Sequence, residues 1–421
     1  MKINNNIPSS AALAGLGACF WPALAIAAFL LIVEIPIALA EKMPSQKEMW
    51  EMLNTQQKEI SELKKQLKQT DEKAEAVTEA VESQSSGASG GGAGSWSDST
   101  QVGGYGELHY NGGEKDEVDF HRFVLFVNHQ FSDKIRFFSE FELEHALSGD
   151  EKDGEVELEQ GYVEFDVAEN HRILAGLSLV PVGILNETHE PPTFFGVERN
   201  PVESNIIPTT WWEAGIAVKG DLPANFAYDL AFHSGLETPI EDGNAFKIRN
   251  GRQKVSKATA KDGAVTARVK WNGVSGVELG VAGQYQNDVT QRQLNENISA
   301  ILLSTTADIR KGPFGFRGLY AHWDLDGDAP KAIGRDEQEG WYVEPSYYFG
   351  TPIGEMGVFG RYNAYDNEAG NSADSEFEQI DVGINYWPHS NVVLKVDMAF
   401  VNPPAGGTDD EILNLGVGVA F

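Results

Sequence analysis

The sequence predicts an all-β chain, a transmembrane antiparallel β-barrel of about sixteen strands preceded by a periplasmic α-helical coiled coil. Three observations predict it. Beyond residue 100, apolar residues recur at every second position. Short turns there alternate with long polar connections, and the region is preceded by an export-type leader and a run of heptads.

The leader comes first. Lys2 gives a short positive start, an apolar stretch runs over residues 21–40, and Ala38-Leu39-Ala40 forms a small-x-small cleavage site before Glu41-Lys42. Residues 1–40 therefore read as a signal peptide. Two other readings stay open. The apolar run over 11–40 could be a membrane-anchoring helix, although Glu34 and Pro36 interrupt it. Leu16-Gly17-Ala18-Cys19 could be a lipoprotein signal, which would leave an apolar segment behind the lipid-bearing cysteine. Cys19 is the only cysteine, so cleavage after Ala40 leaves no disulfide and no thiolate chemistry.

Residues 41–82 are assigned to the coiled coil. One seam takes Leu53, Ile60, Leu67, Ala74 and Val81, and the other Met49, Gln56, Leu63, Thr70 and Val77. Glu, Lys and Gln fill most positions between, without Gly or Pro. A lone helix would have nothing to bury that stripe against, although a single amphipathic helix packed on the barrel remains the alternative. Residues 83–100 are Gly/Ser-rich without an apolar period and read as a flexible tether.

The barrel is assigned to residues 101–421. Ile135, Phe137, Ser139, Phe141 and Leu143 alternate with Arg136, Phe138, Glu140, Glu142 and Glu144. Val265, Ala267, Val269 and Trp271 repeat the pattern, as do Val392, Leu394, Val396, Met398 and Phe400. In a membrane barrel the apolar side meets lipid and the polar side lines the lumen. Ser132-Asp133-Lys134, Ala168-Glu169-Asn170, Asn272-Gly273-Val274 and Pro388-His389-Ser390 are the short links; residues 148–154, 234–261, 324–338 and 366–375 are long ones. That asymmetry matches short periplasmic turns and longer outer loops. Alternation is poor chiefly around 298–307, which leaves the strand count open by two. Leu413, Leu415, Val417, Val419 and Phe421 close the chain in a pattern that resembles the recognition signal of the barrel-assembly machinery.

Residues 180–210 are too long and too rich in proline for a strand or a plain link. If they follow the fifth strand, they are the third outer loop, which in barrels of this kind folds inward. Ala175-Gly176-Leu177, Pro181-Val182-Gly183 and Ile206-Ile207-Pro208-Thr209-Thr210 before Trp212-Glu213-Ala214-Gly215 resemble the phosphate-selective porin O and P family, with Phe120-His121-Arg122 and the run 138–144 similar to its early strands. The resemblance implies a sixteen-stranded trimeric pore in the outer membrane of a Gram-negative cell. It transfers no phosphate ligand, because no ladder of lumenal Arg and Lys can be assembled from the sequence.

The expected function is therefore passive diffusion of small hydrophilic solutes or ions through a water-filled barrel. The alternative is a structural envelope protein, a closed barrel anchoring the coiled coil. Glu187, His189, Glu190, Phe194, Phe195 and Arg199 are the expected pore constriction, and Arg136, Glu140, Glu142 and Glu144 the lumen wall. Enzyme activity, cofactor and metal are not expected. Glu187, His189 and Glu190 match no zinc spacing, and Asp324-Leu325-Asp326-Gly327-Asp328 lacks the Glu that ends a calcium loop. Glu140, Glu142 and Glu144 beside Glu155, Glu157 and Glu159 read as a hydrated acidic wall in preference to a Ca²⁺ site. The net charge of −31 argues against nucleic acid. With 51 acidic against 24 basic residues after residue 100, a weak cation preference is expected. The expected partners are outer-membrane lipid, two further copies of the chain, the assembly machinery through Phe421, and the permeating solute.

Overall fold

The computed structural model describes residues 99–113, 116–149 and 152–421. The signal peptide, the heptads and most of the tether lie outside the described residues.

Period-two segments form sixteen strands: β1 (Thr100–Gly112), β2 (Glu117–Ser132), β3 (Ile135–Glu144), β4 (Val156–Ala168), β5 (His171–Leu179), β6 (Trp212–Leu222), β7 (Phe226–His233) and β8 (Ala264–Val274), then β9 (Val277–Gln286), β10 (Ser299–Lys311), β11 (Phe314–Asp326), β12 (Glu337–Thr351), β13 (Gly354–Asp366), β14 (Phe377–His389), β15 (Val392–Asn402) and β16 (Asp410–Ala420). Each pairs antiparallel with its neighbours in sequence, and β1 pairs with β16, so the sheet closes. Closure extends to the last residue: Phe421 donates its N–H to Gly104 at 2.8 Å and accepts the Gly104 N–H at 2.9 Å. No sheet edge is left to expose unpaired backbone to lipid. Among the described residues no helix is long and apolar enough to cross a membrane.

The outward face is the apolar one. Phe141, Ile216, Phe232, Val281, Ile301, Val382, Leu394 and Leu415 are all exposed on it. Their strand neighbours Glu140, Ala217, His233, Ala282, Leu302, Asp381, Lys395 and Asn414 are buried inside.

Links of two or three residues all fall at the end that carries the start of β1 and Phe421; links of four or more, including 180–211 after β5 and 234–263 after β7, fall at the other. Two short turns differ from expectation. Asn272, Gly273 and Val274 belong to β8, and the chain reverses at Ser275-Gly276, where Gly276 has φ +73°. Pro388 and His389 belong to β14, with the turn at Ser390-Asn391. Likewise Asp324, Leu325 and Asp326 continue β11, and Glu337-Gln338 begin β12. In each case ladder pairing runs beyond the point where polar composition suggests a loop.

The weak alternation near residue 300 has a physical cause. Ile301 and Leu303 face outward, while Ala300 and Leu302 face an apolar cluster inside the barrel. Leu319, Ala321, Trp323 and Leu325 of β11 join Leu302 there. Val202, Ile206, Ile207 and Trp211 from the third outer connection pack onto them, with Leu236, Phe246 and Ile248 from the fourth and Val289 and Ile298 from the fifth. Strands β10 and β11 are therefore apolar on both faces, and part of the interior is packed side chain.

Candidate functional site

Residues 180–211 enter and leave at a staple. Val180 N–H donates to Trp211 O at 3.0 Å, and the Asn186 amide donates to both Val180 O (2.8 Å) and Trp211 O (2.9 Å) while accepting the Trp211 N–H (2.7 Å). The helical turn Val202–Asn205 adds a second brace. Its Glu203 carboxylate accepts from Ile184 N (2.6 Å), Leu185 N (2.7 Å) and Tyr342 Oη (2.9 Å). A buried carboxylate is retained here because it is hydrogen-bonded on every side.

Between these braces the segment is bonded to opposite sectors of the inner wall. On one side Glu187 meets Lys219 at 3.2 Å, Lys270 at 4.0 Å and Arg268 closely. Burial opposes its charge, but Arg268 and Lys219 outweigh burial and hold its pKa down to about 2. His189 is buried, with Nε2 3.5 Å from Glu140 and 3.6 Å from Glu159. Burial again opposes the charge, and the two carboxylates override it, holding the imidazole pKa well above its ordinary range. On the other side the backbone is caught in sequence. Pro192 O accepts from Trp387, Thr193 O from Arg317, Phe194 O from Asn385, Phe195 O from Arg361 and Gly196 O from Lys395, and Val197 N–H donates to Asp397. Phe194 lies under Lys395 (3.5 Å to the ring centre), and Phe195 stacks on Phe359 at 5.0 Å. Glu198 completes the crossing on β1, 2.9 Å from His109 Nδ1; His109 outweighs burial and keeps the Glu198 pKa down to about 2.

Of the six expected constriction residues, Glu187, His189, Phe194 and Phe195 are engaged through side chain or backbone with the wall. Glu190 contributes its carbonyl, accepting from Thr193 N and Oγ1. Arg199 lines a polar chamber of about 70 Å³ at the outer-loop end. Among the wall residues, Glu140 accepts from Gln160 at 2.6 Å, and Arg136 pairs with Glu164 (2.7 Å) and Asp166. Glu142 and Glu144 reach the chamber, where Glu157 and Glu159 of β4 join them.

Arg122, Arg199, Arg249, Arg252 and Lys254 line the same chamber; Arg122 stands beside Glu144 in the β2–β3 ladder, and Lys254 pairs with Glu157. No ladder of lumenal Arg and Lys can be assembled from the sequence; the structure gathers a cluster of them from β2 and the third and fourth outer connections. The clue in the sequence was the basic run Lys247, Arg249, Arg252, Lys254 and Lys257 in an otherwise acidic chain. Burial, followed by repulsion from Arg252, lowers the Arg249 pKa to about 10. Among the described residues, Nε and Nη2 of Arg199 meet no protein acceptor. At the short-turn end a larger cavity of about 570 Å³ is lined by Thr193, Phe194 and Phe195 together with Arg310, Arg317 and Glu344. Residues 193–199 thus run from one cavity to the other.

A family model described as Gram-negative porin matches residues 236–403. An uncharacterized protein of Aquifex aeolicus is 31% identical over 339 residues, covering 70% of this chain and 74% of that protein. Among solved structures, the fold is similar to an anion-selective porin from Comamonas acidovorans, 13% identical, with TM-score 0.54 over 77% of this chain and 99% of that one. OmpF of Salmonella typhi in complex with daunomycin is 14% identical, with TM-score 0.53 over 76% and 97%. OmpT of Vibrio cholerae, in its trimer form, is 10% identical, with TM-score 0.52 over 76% and 99%.

Proposed function

We propose, for a chain that belongs to the same family as the Aquifex aeolicus protein and is a porin-type outer-membrane β-barrel, a passive channel for small hydrophilic solutes or ions narrowed by residues 180–211. The observation that carries this reading is the polar outer chamber, where Glu142, Glu144, Glu157 and Glu159 line one cavity together with Arg122, Arg199, Arg249, Arg252 and Lys254. Charged groups of both signs around a polar cavity stabilise a passing charge or dipole without binding it tightly, which is what permeation requires.

Four carboxylates against five cations leave the chamber nearly neutral, so a weak cation preference would rest on acidic residues elsewhere on the path. An anion would be held best on the arginine side, the place for the phosphate-like solute that the family resemblance suggests. Reversal potentials in a KCl gradient test the reading. Glu142→Gln with Glu144→Gln should shift selectivity toward chloride, and Arg249→Gln with Arg252→Gln toward potassium. If neither pair moves the reversal potential, the chamber does not control permeation.

The further expectations belong to the same reading: a homotrimer, in line with the trimeric Vibrio relative of the fold, with a coiled coil in the periplasm and delivery by the assembly machinery through Phe421. A closed barrel that anchors the coiled coil is the second reading, and the apolar cluster around Trp211 and Trp323 favours it. Conductance separates the two.

A further inference from the structure

Three of the nine histidines meet at the outer-loop end of β1–β3. Asp119 and His121 lie on β2, and His145 follows β3. Two local irregularities bring them together. The β1–β2 register slips between Glu107 and His109, so that Glu107 pairs with Arg122 but His109 with Asp119. A bulge of this kind re-aims a side chain that regular alternation would send to the other face. His145 then adopts a left-handed backbone, φ +55°, a conformation that His tolerates better than most residues. Its N–H donates to His121 O at 3.0 Å, tying the two residues together.

The outcome is a shared carboxylate oxygen. Asp119 Oδ2 lies 3.2 Å from His121 Nδ1 and 2.7 Å from His145 Nδ1. All three side chains are partly exposed, at 27%, 28% and 35%. We propose that Asp119, His121 and His145 form a binding site for a divalent transition-metal ion, with zinc the best-fitting probe. Zinc binds imidazole nitrogen and carboxylate oxygen at about 2.0–2.2 Å, which in a tetrahedron sets ligand atoms roughly 3.3 Å apart. The three groups offer ligand atoms within 4.8 Å of one another, so modest side-chain motion suffices, and exposure leaves the fourth position to water. Two imidazoles with one carboxylate suit zinc, copper or nickel better than calcium or magnesium.

The neighbours hold this set in place. The His109 ring stacks on His121 at 4.6 Å and 13° and is itself clamped, with Nε2 3.2 Å from Glu107 and Nδ1 2.9 Å from Glu198. Because both its nitrogens are committed, His109 supports the site and does not ligate. The trio of Glu140, Glu159 and His189 is weaker, being buried. His121 also lines the outer polar chamber, so a bound ion adds two positive charges at its rim.

The test is zinc binding by the full chain folded in detergent, stripped with chelator and titrated with ZnCl₂ against a chromophoric competitor. Neither it nor its failure depends on whether the barrel conducts. Wild type should take up one zinc per chain. His121→Gln, His145→Gln and Asp119→Asn should each weaken binding tenfold or more while the barrel stays folded by circular dichroism. His389→Gln, at the other end, should bind as wild type. Absence of saturable binding in the wild type, or binding unchanged in His121→Gln and His145→Gln, overturns the proposal. Zinc-edge X-ray absorption on the wild type gives a readout free of folding effects: two imidazoles in the shell support the site, and a shell of oxygen alone refutes it.

Discussion

Glu187 shows how a single residue of the inward connection is retained. Its carboxylate reaches Lys219, Arg268 and Lys270 on three inner-wall positions, and these cations outweigh burial to hold its pKa at about 2, below the ordinary 4.5. A depressed carboxylate contributes its stabilisation in full above the ordinary value and loses it as pH falls toward the folded value. The anchor is therefore intact at pH 7 and released between about pH 4.5 and 2. Hydrogen bonds to a charged group are worth about 1.5–3 kcal/mol. Glu187→Gln should therefore speed amide exchange in residues 184–190 on the order of tenfold to a hundredfold at pH 7. After correction for intrinsic rates, the gap between variant and wild type should close on acidification. Equal protection at pH 7 would show that the segment is held without Glu187. At this scale the sequence was informative about residue type and silent about partners. Glu187 and His189 stood out as polar groups in a Pro-rich segment, but Lys219, Arg268 and Glu159 are brought to them only by barrel closure.

At the scale of elements, β16 and residues 191–197 explain each other. The terminal strand alternates Leu413, Leu415, Val417 and Val419 outward with Asn414, Gly416 and Gly418 inward. The two glycines are where the connection presses on the wall. A Cβ on Gly418 would stand 2.3 Å from Pro191 Cβ, and one on Gly416 3.1 Å from Val197 Cγ2. Gly418→Val should push the connection off β16 toward the barrel axis and lower conductance. Gly350→Val, where a Cβ meets nothing within 4 Å, should leave it unchanged. Identical conductance in both variants and wild type would mean that this contact does not position the connection. Most elements were legible because lipid demands a strict two-residue period on one face. Legibility failed where a second force shared the strand. Around Ile301 and Leu303 the inner face is apolar as well, and at Asn272 and Pro388 the ladder runs on through residues that favour turns. The charged chamber was half legible: its acidic wall lies on two adjacent strands, whereas its cations come from three separate elements. The histidine trio was not legible, because a bulge and a left-handed residue create it.

For the whole molecule, closure and filling pull in opposite directions. Closing sixteen strands makes an interior wide enough for an aqueous path, and the sheet leaves no edge. The third, fourth and fifth outer connections then pack an apolar cluster against β10 and β11, which fills part of that interior. Residues 193–199 lie between the outer chamber and the larger cavity at the short-turn end. The proposed channel therefore requires a continuous path whose width these residues would set. Single-channel recording in planar bilayers tests this most directly, comparing the wild-type chain with a variant in which residues 192–199 are replaced by a short Gly/Ser link. The account predicts discrete, stable conductance steps for the wild type and larger steps for the variant. Folded protein that inserts without conducting, or steps of equal size in both, would contradict it.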